Sequence, residues 1–292
     1  MELIFKKRLN TKKNSIFYSL INHKNNIIGF GRLLFQGKKD LIQEIKLDKD
    51  FNIIEEDSNN VYIGEDPRCF IHNHKLYILD NYCNDMYLID YQTKQYLKIK
   101  IGGKNPSFIS HKNNLYLIHY IKPFELYKLD INTGNVIKQE VDDDKQTLNY
   151  EYRGGTPAYK INKNEYYGFG HRTYYDENSI LKHDIFKWVV SFKNVKPSIK
   201  IIEIKQPINS NNICDPTSVI EIDNRKYLIT AESKEAWFHE QDYITNVYEI
   251  KEDNFFVNKY ILKNEIHSSF HHNTPKSEIS NENNLFAPMS IS

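Results

Sequence analysis

The residue types best able to do chemistry in this sequence stand beside prolines. Glu65 and Asp66 precede Pro67, with Arg68 behind it. Lys104 and Asn105 precede Pro106. Arg153, Gly154, Gly155 and Thr156 lead into Pro157, and Cys214 and Asp215 into Pro216. Carboxylates give or take protons, and guanidinium groups bind phosphate or carboxylate bidentately. Brought together, two Asp, one Glu, two Arg and one Lys would perturb one another's pKa values, as charged groups in functional sites do. Against this stands the turn-forming habit of Asp and Asn before proline, which by itself accounts for Thr156 and Asn14.

A repeat is what would gather these residues. "EDPRCFIHNHKLYILDN", "KNPSFISHKNNLYLIHY", "GTPAYKINKNEYYGFGH" and "DPTSVIEIDNRKYLITA" share one plan: a polar residue and a proline, a short apolar strand, a polar turn and a second strand. From proline to tyrosine is 10, 10, 10 and 11 residues, ending at Tyr77, Tyr116, Tyr167 and Tyr227. A weaker copy, "KNSIFYSLINHKNNIIGFGR", has Asn14-Ser15 in the polar–proline position. Copies starting near 15, 67, 106, 157 and 216 are 52, 39, 51 and 59 residues apart, close to the length of a four-stranded propeller blade. Further strand–turn–strand runs lie between them, and none shows a helical period.

The expectation is therefore an all-β chain forming one five-bladed β-propeller over residues 1–270. Strands around "NFFVNKYILK" would help the N-terminal region close the ring, and a polar, loosely packed extension would cover 271–292. A β-sandwich or two stacked β domains is the competing architecture, and the even proline-to-tyrosine spacing favours the propeller. First strands of propeller blades line a central channel, so their starts crowd around one mouth. That rule gathers Asn14, Asp66, Asn105, Thr156 and Asp215, with Glu65, Arg68, Lys104, Arg153 and Cys214 beside them.

Composition narrows the partners. Lys and Arg number 39 against 38 Asp and Glu, which gives no electrostatic case for nucleic acid or an anionic membrane. Three cysteines without metal-ligand spacing argue against a disulfide framework and for a reducing, intracellular setting, the cytoplasm of the cell or of a host. The N-terminus shows no signal-peptide pattern, and no apolar run is long enough to span a bilayer.

The motifs also carry a resemblance. "GEDPRCF" resembles the Glu-Asp-Pro-Arg signature of glycoside hydrolase family 130, five-bladed propellers that act on β-mannosides by phosphorolysis or hydrolysis, with related mannosyltransferases. "KNPSF", "RGGTPAY…YYGFGHRTYY" and "CDPTSVIEIDNRKYLITAESKEAWF" are similar to a divergent branch of such propellers, over roughly residues 60–240. The resemblance implies that Glu65, Asp66 and Arg68 bind sugar. It also implies that Arg153, His171 and Arg172 lie where phosphate or glycan hydroxyls are held, and that Asp215 faces the same pocket. Where the family's phosphorylases place a proton-donating aspartate, this chain has Asn105, which cannot act as that acid.

Glycoside cleavage needs one carboxyl group to protonate the leaving oxygen and a second as base or nucleophile. Asp66, Asp215 and Glu65 are the catalytic candidates. Arg68, Lys104, Asn105, Arg153, Thr156, His171, Arg172 and Glu232 are the substrate-binding ones, and Tyr174, Tyr175, Trp237 and Phe238 could stack on sugar rings. Equally, Asp66 could be ion-paired with an arginine and only orient hydroxyls. His72 and His74, like His271 and His272, read as turn or tail residues, so no metal and no cofactor is expected; inorganic phosphate is a conceivable co-substrate. The expected ligand is an oligosaccharide or sugar phosphate. The rival reading is a non-catalytic propeller that binds a glycan, a phosphorylated small molecule or a protein.

Overall fold

The computed structural model describes residues 1–251 except 11–14, 25, 34–39, 82–84, 104, 143–151, 209 and 235–242, and for 57–60 the backbone alone. Asn14, Lys104, Trp237, Phe238, Cys83, His271, His272, the expected closing strand near 254–263 and the expected 271–292 extension lie outside these residues. The described residues are all-β. No helix among them is long and apolar enough to cross a membrane.

Strand β1 (Glu2–Leu9) is followed by three four-stranded antiparallel sheets and joins a nine-stranded sheet whose two antiparallel parts meet at the parallel pair His183–Ile213; we describe these as five blades. Blade one comprises β2 (Ser15–His23), β3 (Asn26–Leu33), β4 (Leu41–Leu47) and β5 (Ile53–Ile63). Blade two is β6 (Arg68–His72), β7 (Lys75–Asp80), β8 (Met86–Asp90) and β9 (Tyr96–Ile99). Blade three is β10 (Ser107–His111), β11 (Asn114–Tyr120), β12 (Glu125–Leu129) and β13 (Val136–Lys138). Blade four has a split first strand, β14 (Tyr152–Gly155) and β15 (Tyr159–Asn162), then β16 (Glu165–Tyr175), β17 (Leu181–Ser191) and β18 (Ser198–Glu203). Blade five is β19 (Ile213–Ile222), β20 (Arg225–Ser233) and β21 (Ile244–Lys251), completed by β1 pairing antiparallel with β21. The N-terminal segment does close the ring, through Ile244–Lys251.

The ring is visible in the core. Side chains alternate faces along a strand, and here both faces of each blade are apolar, so neighbouring residues enter different seams. Ile28 packs between blades one and two, and Ile27 between blades five and one. Leu117 faces blade two while Ile118 faces blade four. Tyr166 and Tyr167 divide likewise, as do Leu228 and Ile229. Five clusters fill five seams, including the one joining last blade to first. Close packing needs glycine in places: a Cβ on Gly168 would lie 2.2 Å from the fully buried Trp188.

Polar ties join the first strands around the axis. Thr217 Oγ1 donates to the Tyr18 carbonyl at 2.6 Å, and the Leu20 amide donates to Ser218 Oγ at 2.8 Å. The Cys69 amide donates to Ser19 Oγ at 3.1 Å, and the Ala158 amide to the Phe108 carbonyl at 2.9 Å. Cys69 and Cys214 are buried and unpaired.

If the seam between blades five and one is packed like the others, truncating either side of the ring costs the same. Ile229→Ala and Ile118→Ala are each expected to lower unfolding free energy by about 2–5 kcal/mol, measured by urea denaturation. A cost below about 1 kcal/mol for Ile229→Ala alone would mean an open seam.

A charged channel mouth as the candidate active site

The first strands start at one mouth with strained backbone. Asp66 and Asn105 adopt left-handed φ values of 44° and 55°, a region that Asp and Asn enter more readily than most residues. Blade one departs from the sequence expectation. Tyr18 stands six residues before the turn residue Lys24, as Pro67 stands before Asn73, Pro106 before Lys112 and Pro157 before Lys163. Phe17, with φ 55°, thus fills the position assigned to Asn14, and its ring lies 4.7 Å from that of Tyr243. The second strands return to the same mouth: Arg32, Asn81 and His171 lie fourteen residues beyond Tyr18, Pro67 and Pro157.

One charged group centres on Arg32. Its Nε donates to Asp40 Oδ2 at 2.6 Å and its Nη1 to Asp66 Oδ1 at 3.3 Å, while Nη2 lies 3.8 Å from Glu65 Oε1. Burial opposes the Arg32 charge, but Asp66, Glu65 and Asp40 outweigh it and raise its pKa. The chain before Glu65 is fixed by Asp80, whose Oδ1 accepts from the Glu65 amide at 2.8 Å. A Cβ on Gly64 would lie 2.5 Å from that carboxyl group.

The second group centres on Asp215. Its Oδ1 accepts from His183 Nδ1 at 2.7 Å and lies 3.5 Å from His171 Nδ1. The two imidazoles stack 4.7 Å apart. Burial would raise the Asp215 pKa; His171, His183 and Arg68 together overcome it and bring it down to about 2. His171 is 2% exposed, and burial, with His183, Arg153 and Arg68 nearby, lowers its pKa to about 3 despite Asp215. We therefore describe His171 as neutral and Asp215 as ionised. His171 Nδ1 and Thr173 Oγ1 are buried atoms that make no hydrogen bond among the described residues.

Burial lowers the pKa of Arg68, against the opposing charges of Asp66 from one group and Asp215 from the other. Arg68 is 2% exposed; its Nε donates to the Gly155 carbonyl at 2.9 Å and its Nη1 to the Pro67 carbonyl at 2.9 Å. Gly154 and Gly155 make this approach possible. A Cβ on Gly154 would fall 2.1 Å from the Asn105 carbonyl oxygen, and one on Gly155 2.8 Å from Pro216. Arg153 is exposed, pairs across the strand with His171 and makes no ion pair among the described residues.

The structure thus brings Glu65, Asp66, Arg68, Arg153, His171 and Asp215 to one mouth, with Asn105 half-buried beside Gly154. Three expected ligands need correction. Thr156 is fully buried and its hydroxyl accepts from the Phe169 amide at 3.0 Å. Glu232 is fully buried, with Thr230 and Tyr248 each donating to Oε1 at 2.7 Å and Asn211 to Oε2 at 3.3 Å. Arg172 points to the opposite sheet face from His171, over the Tyr174 ring at 4.6 Å and beside Asp184. Tyr174 donates to Asp184 at 2.7 Å, and Tyr175 is exposed.

Arg32, Asp40, Asp80 and His183 were missed. Arg32 and Asp80 belong to second strands, where the repeat itself could have located them. His183 sits on a third strand and Asp40 on a connection, neither marked by a motif. His171, His183 and Asp215 present ligand atoms within 4.8 Å of one another, the one such group among the described residues. Rings stacked at 20° suit a hydrogen-bonded cluster better than shared coordination of an ion, and the Arg68 and Arg153 charges oppose a dication there.

No family model matches the sequence, and no curated protein matches it. Solved structures do. The chain is similar to MPT-4, a mannose phosphorylase from Leishmania mexicana solved with a phosphate ion: 12% identity, 87% of this chain and 93% of that one, TM-score 0.63. It is similar to MPT-1, a GDP-Man-dependent mannosyltransferase from Leishmania mexicana: 13% identity, 85% and 90%, TM-score 0.58. The fold is a β-propeller. A GH43 β-xylosidase/α-arabinofuranosidase from a compost microbial metagenome shares this propeller at 9% identity, 86% and 95% coverage and TM-score 0.55.

The buried histidine gives the propeller a pH dependence with a definite sign. Unfolded, His171 takes up a proton below its ordinary pKa of 6.5; folded, it resists until about 3. Stability from this residue is complete above pH 6.5 and falls as pH drops toward 3, by up to about 1.4 kcal/mol per pH unit. His171→Gln is expected to flatten that slope in urea unfolding between pH 4.5 and 7. An unchanged slope would show that His171 is not held neutral.

Proposed function

We propose that the protein is a carbohydrate-active enzyme that cleaves, phosphorolyses or transfers a glycosidic bond at this mouth. The reading rests on two acidic side chains from blades two and five, Asp66 and Asp215, whose charges both reach the buried guanidinium of Arg68. Two carboxylates facing one site are what glycosidic chemistry requires. Held ionised by His183 and Arg68, Asp215 suits a base, a nucleophile or a stabiliser of positive charge at the anomeric carbon, and not a proton donor. Glu65 and Asp66, both beside the Arg32 guanidinium, are the remaining carboxyl groups at the mouth, and one of them must take up a proton to serve as the donor.

Arg153, exposed beside His171 and without an ionic partner among the described residues, suits the anionic part of a sugar phosphate or an attacking phosphate. The sugar and phosphate named for the similar propellers agree with that class of ligand. A second reading, binding without turnover, is favoured by Asn105 alone, because an amide cannot supply the proton that the family's aspartate gives.

The test is a panel of aryl glycosides and sugar 1-phosphates, each with and without inorganic phosphate, with products followed by chromatography. Asp66→Asn and Asp215→Asn are each expected to lower kcat at least about 100-fold. Asp66→Asn is expected to leave stability within about 1 kcal/mol. Asp215→Asn removes the counter-charge of a buried arginine and is expected to cost about 3 kcal/mol while keeping the fold. Full activity in both variants would exclude this site. Sugar binding without turnover of any substrate would favour the second reading.

A further inference from the structure

The opposite end of the channel holds a different chemistry. Where the first strands reach their turns lies a cavity of about 560 Å³. Leu20, Phe70, Phe108 and Val219 make its apolar surface, and the Phe70 and Phe108 rings stack 4.5 Å apart. Lys112, Lys160 and His74 line it as well, and none of the described lining residues is Asp or Glu. Both lysines are exposed and neither has an ionic partner among the described residues. They converge on one place: burial first, then the Lys112 and Lys160 charges, lower the pKa of the nearby His111.

A hydroxyl donor completes the arrangement. The Asn73 side-chain amide donates to His72 Nε2 at 3.1 Å, so the proton of the neutral ring sits on Nδ1. Burial keeps this ring neutral by lowering its pKa. His72 Nδ1 then donates to Ser110 Oγ at 2.9 Å. Ser110 lines the cavity, and its own hydroxyl hydrogen has no acceptor among the described residues. The same cavity thus holds a hydroxyl donor, two ammonium groups without ionic partners among the described residues, and a stacked aromatic pair.

We propose that this mouth is a second binding site, for an organic anion with an apolar body, whose charged head meets Lys112, Lys160 and Ser110 while its body packs on Phe70 and Phe108. The head is a carboxylate or a phosphate ester, since both accept from ammonium and hydroxyl donors. The site is independent of the acidic mouth and does not rest on glycosidic activity.

Calorimetric titration of the full chain with octanoate, octyl phosphate, octanol and inorganic phosphate tests it. At least one of the two amphiphilic anions is expected to bind about tenfold or more tightly than octanol and inorganic phosphate, and the stronger of the two identifies the head. A Lys112→Gln/Lys160→Gln double variant is expected to weaken that binding about tenfold or more, and Ser110→Ala about threefold. Asp215→Asn, at the other mouth, is expected to leave it unchanged. Equal affinity for octanol and octanoate, full affinity in the double variant, loss of binding in Asp215→Asn, or no heat with millimolar anion would each overturn the proposal.

Discussion

Every blade of this protein buries both faces, and the rest of the structure follows from that constraint. A sheet with one wet face could stand at the edge of a stack. A sheet apolar on both sides must have a neighbour on each side, and the only finite arrangement without an exposed end is a closed ring. Adjacent residues such as Ile27 and Ile28, or Tyr166 and Tyr167, serve opposite seams. The pairing of β1 with β21 makes the last blade whole. Closure then holds the first strands side by side, and two mouths arise as a geometric by-product.

At the acidic mouth the ring sets an electrostatic problem. Arg68 is buried on an inner strand, and a buried guanidinium needs compensating charge and acceptors. It finds the backbone carbonyls of Gly155 and Pro67, and the charges of Asp66 and Asp215 act in its favour. Asp215 in turn needs His183 to remain ionised in a dry place. Beside them, His171 Nδ1 and Thr173 Oγ1 have no hydrogen-bond partner among the described residues, and Arg153 is exposed. Satisfied supports with unsatisfied tips are the arrangement that the proposed ligand site requires.

The strands and their grouping were legible because turn residues and proline-to-tyrosine spacing repeat with the blades. Blade one was placed in the wrong register: it has no proline, and Asn14-Ser15 imitates the motif, whereas the turn at Lys24 sets the alignment on Phe17-Tyr18. Charged motif residues such as Asp66 and Asp215 could be located from the repeat alone. Thr156 and Glu232 could not be sorted from them, because whether a polar side chain faces the channel or a neighbouring amide depends on its strand's local bulge and face. His171 and Arg172 are adjacent in sequence and on opposite faces of one strand, which alternation predicts and which a motif reading joined. His183 and Asp40 come from segments without any repeated signature.

Under the proposed function a sugar occupies the mouth between blades two and five. A crystal structure of the protein soaked with the sugar phosphate that shows turnover or tightest binding decides this. The sugar ring is expected between Asp66 and Asp215, within hydrogen-bond reach of both, with the phosphate against Arg153 and His171. A sugar bound elsewhere on the protein, with this mouth holding only solvent, would contradict it.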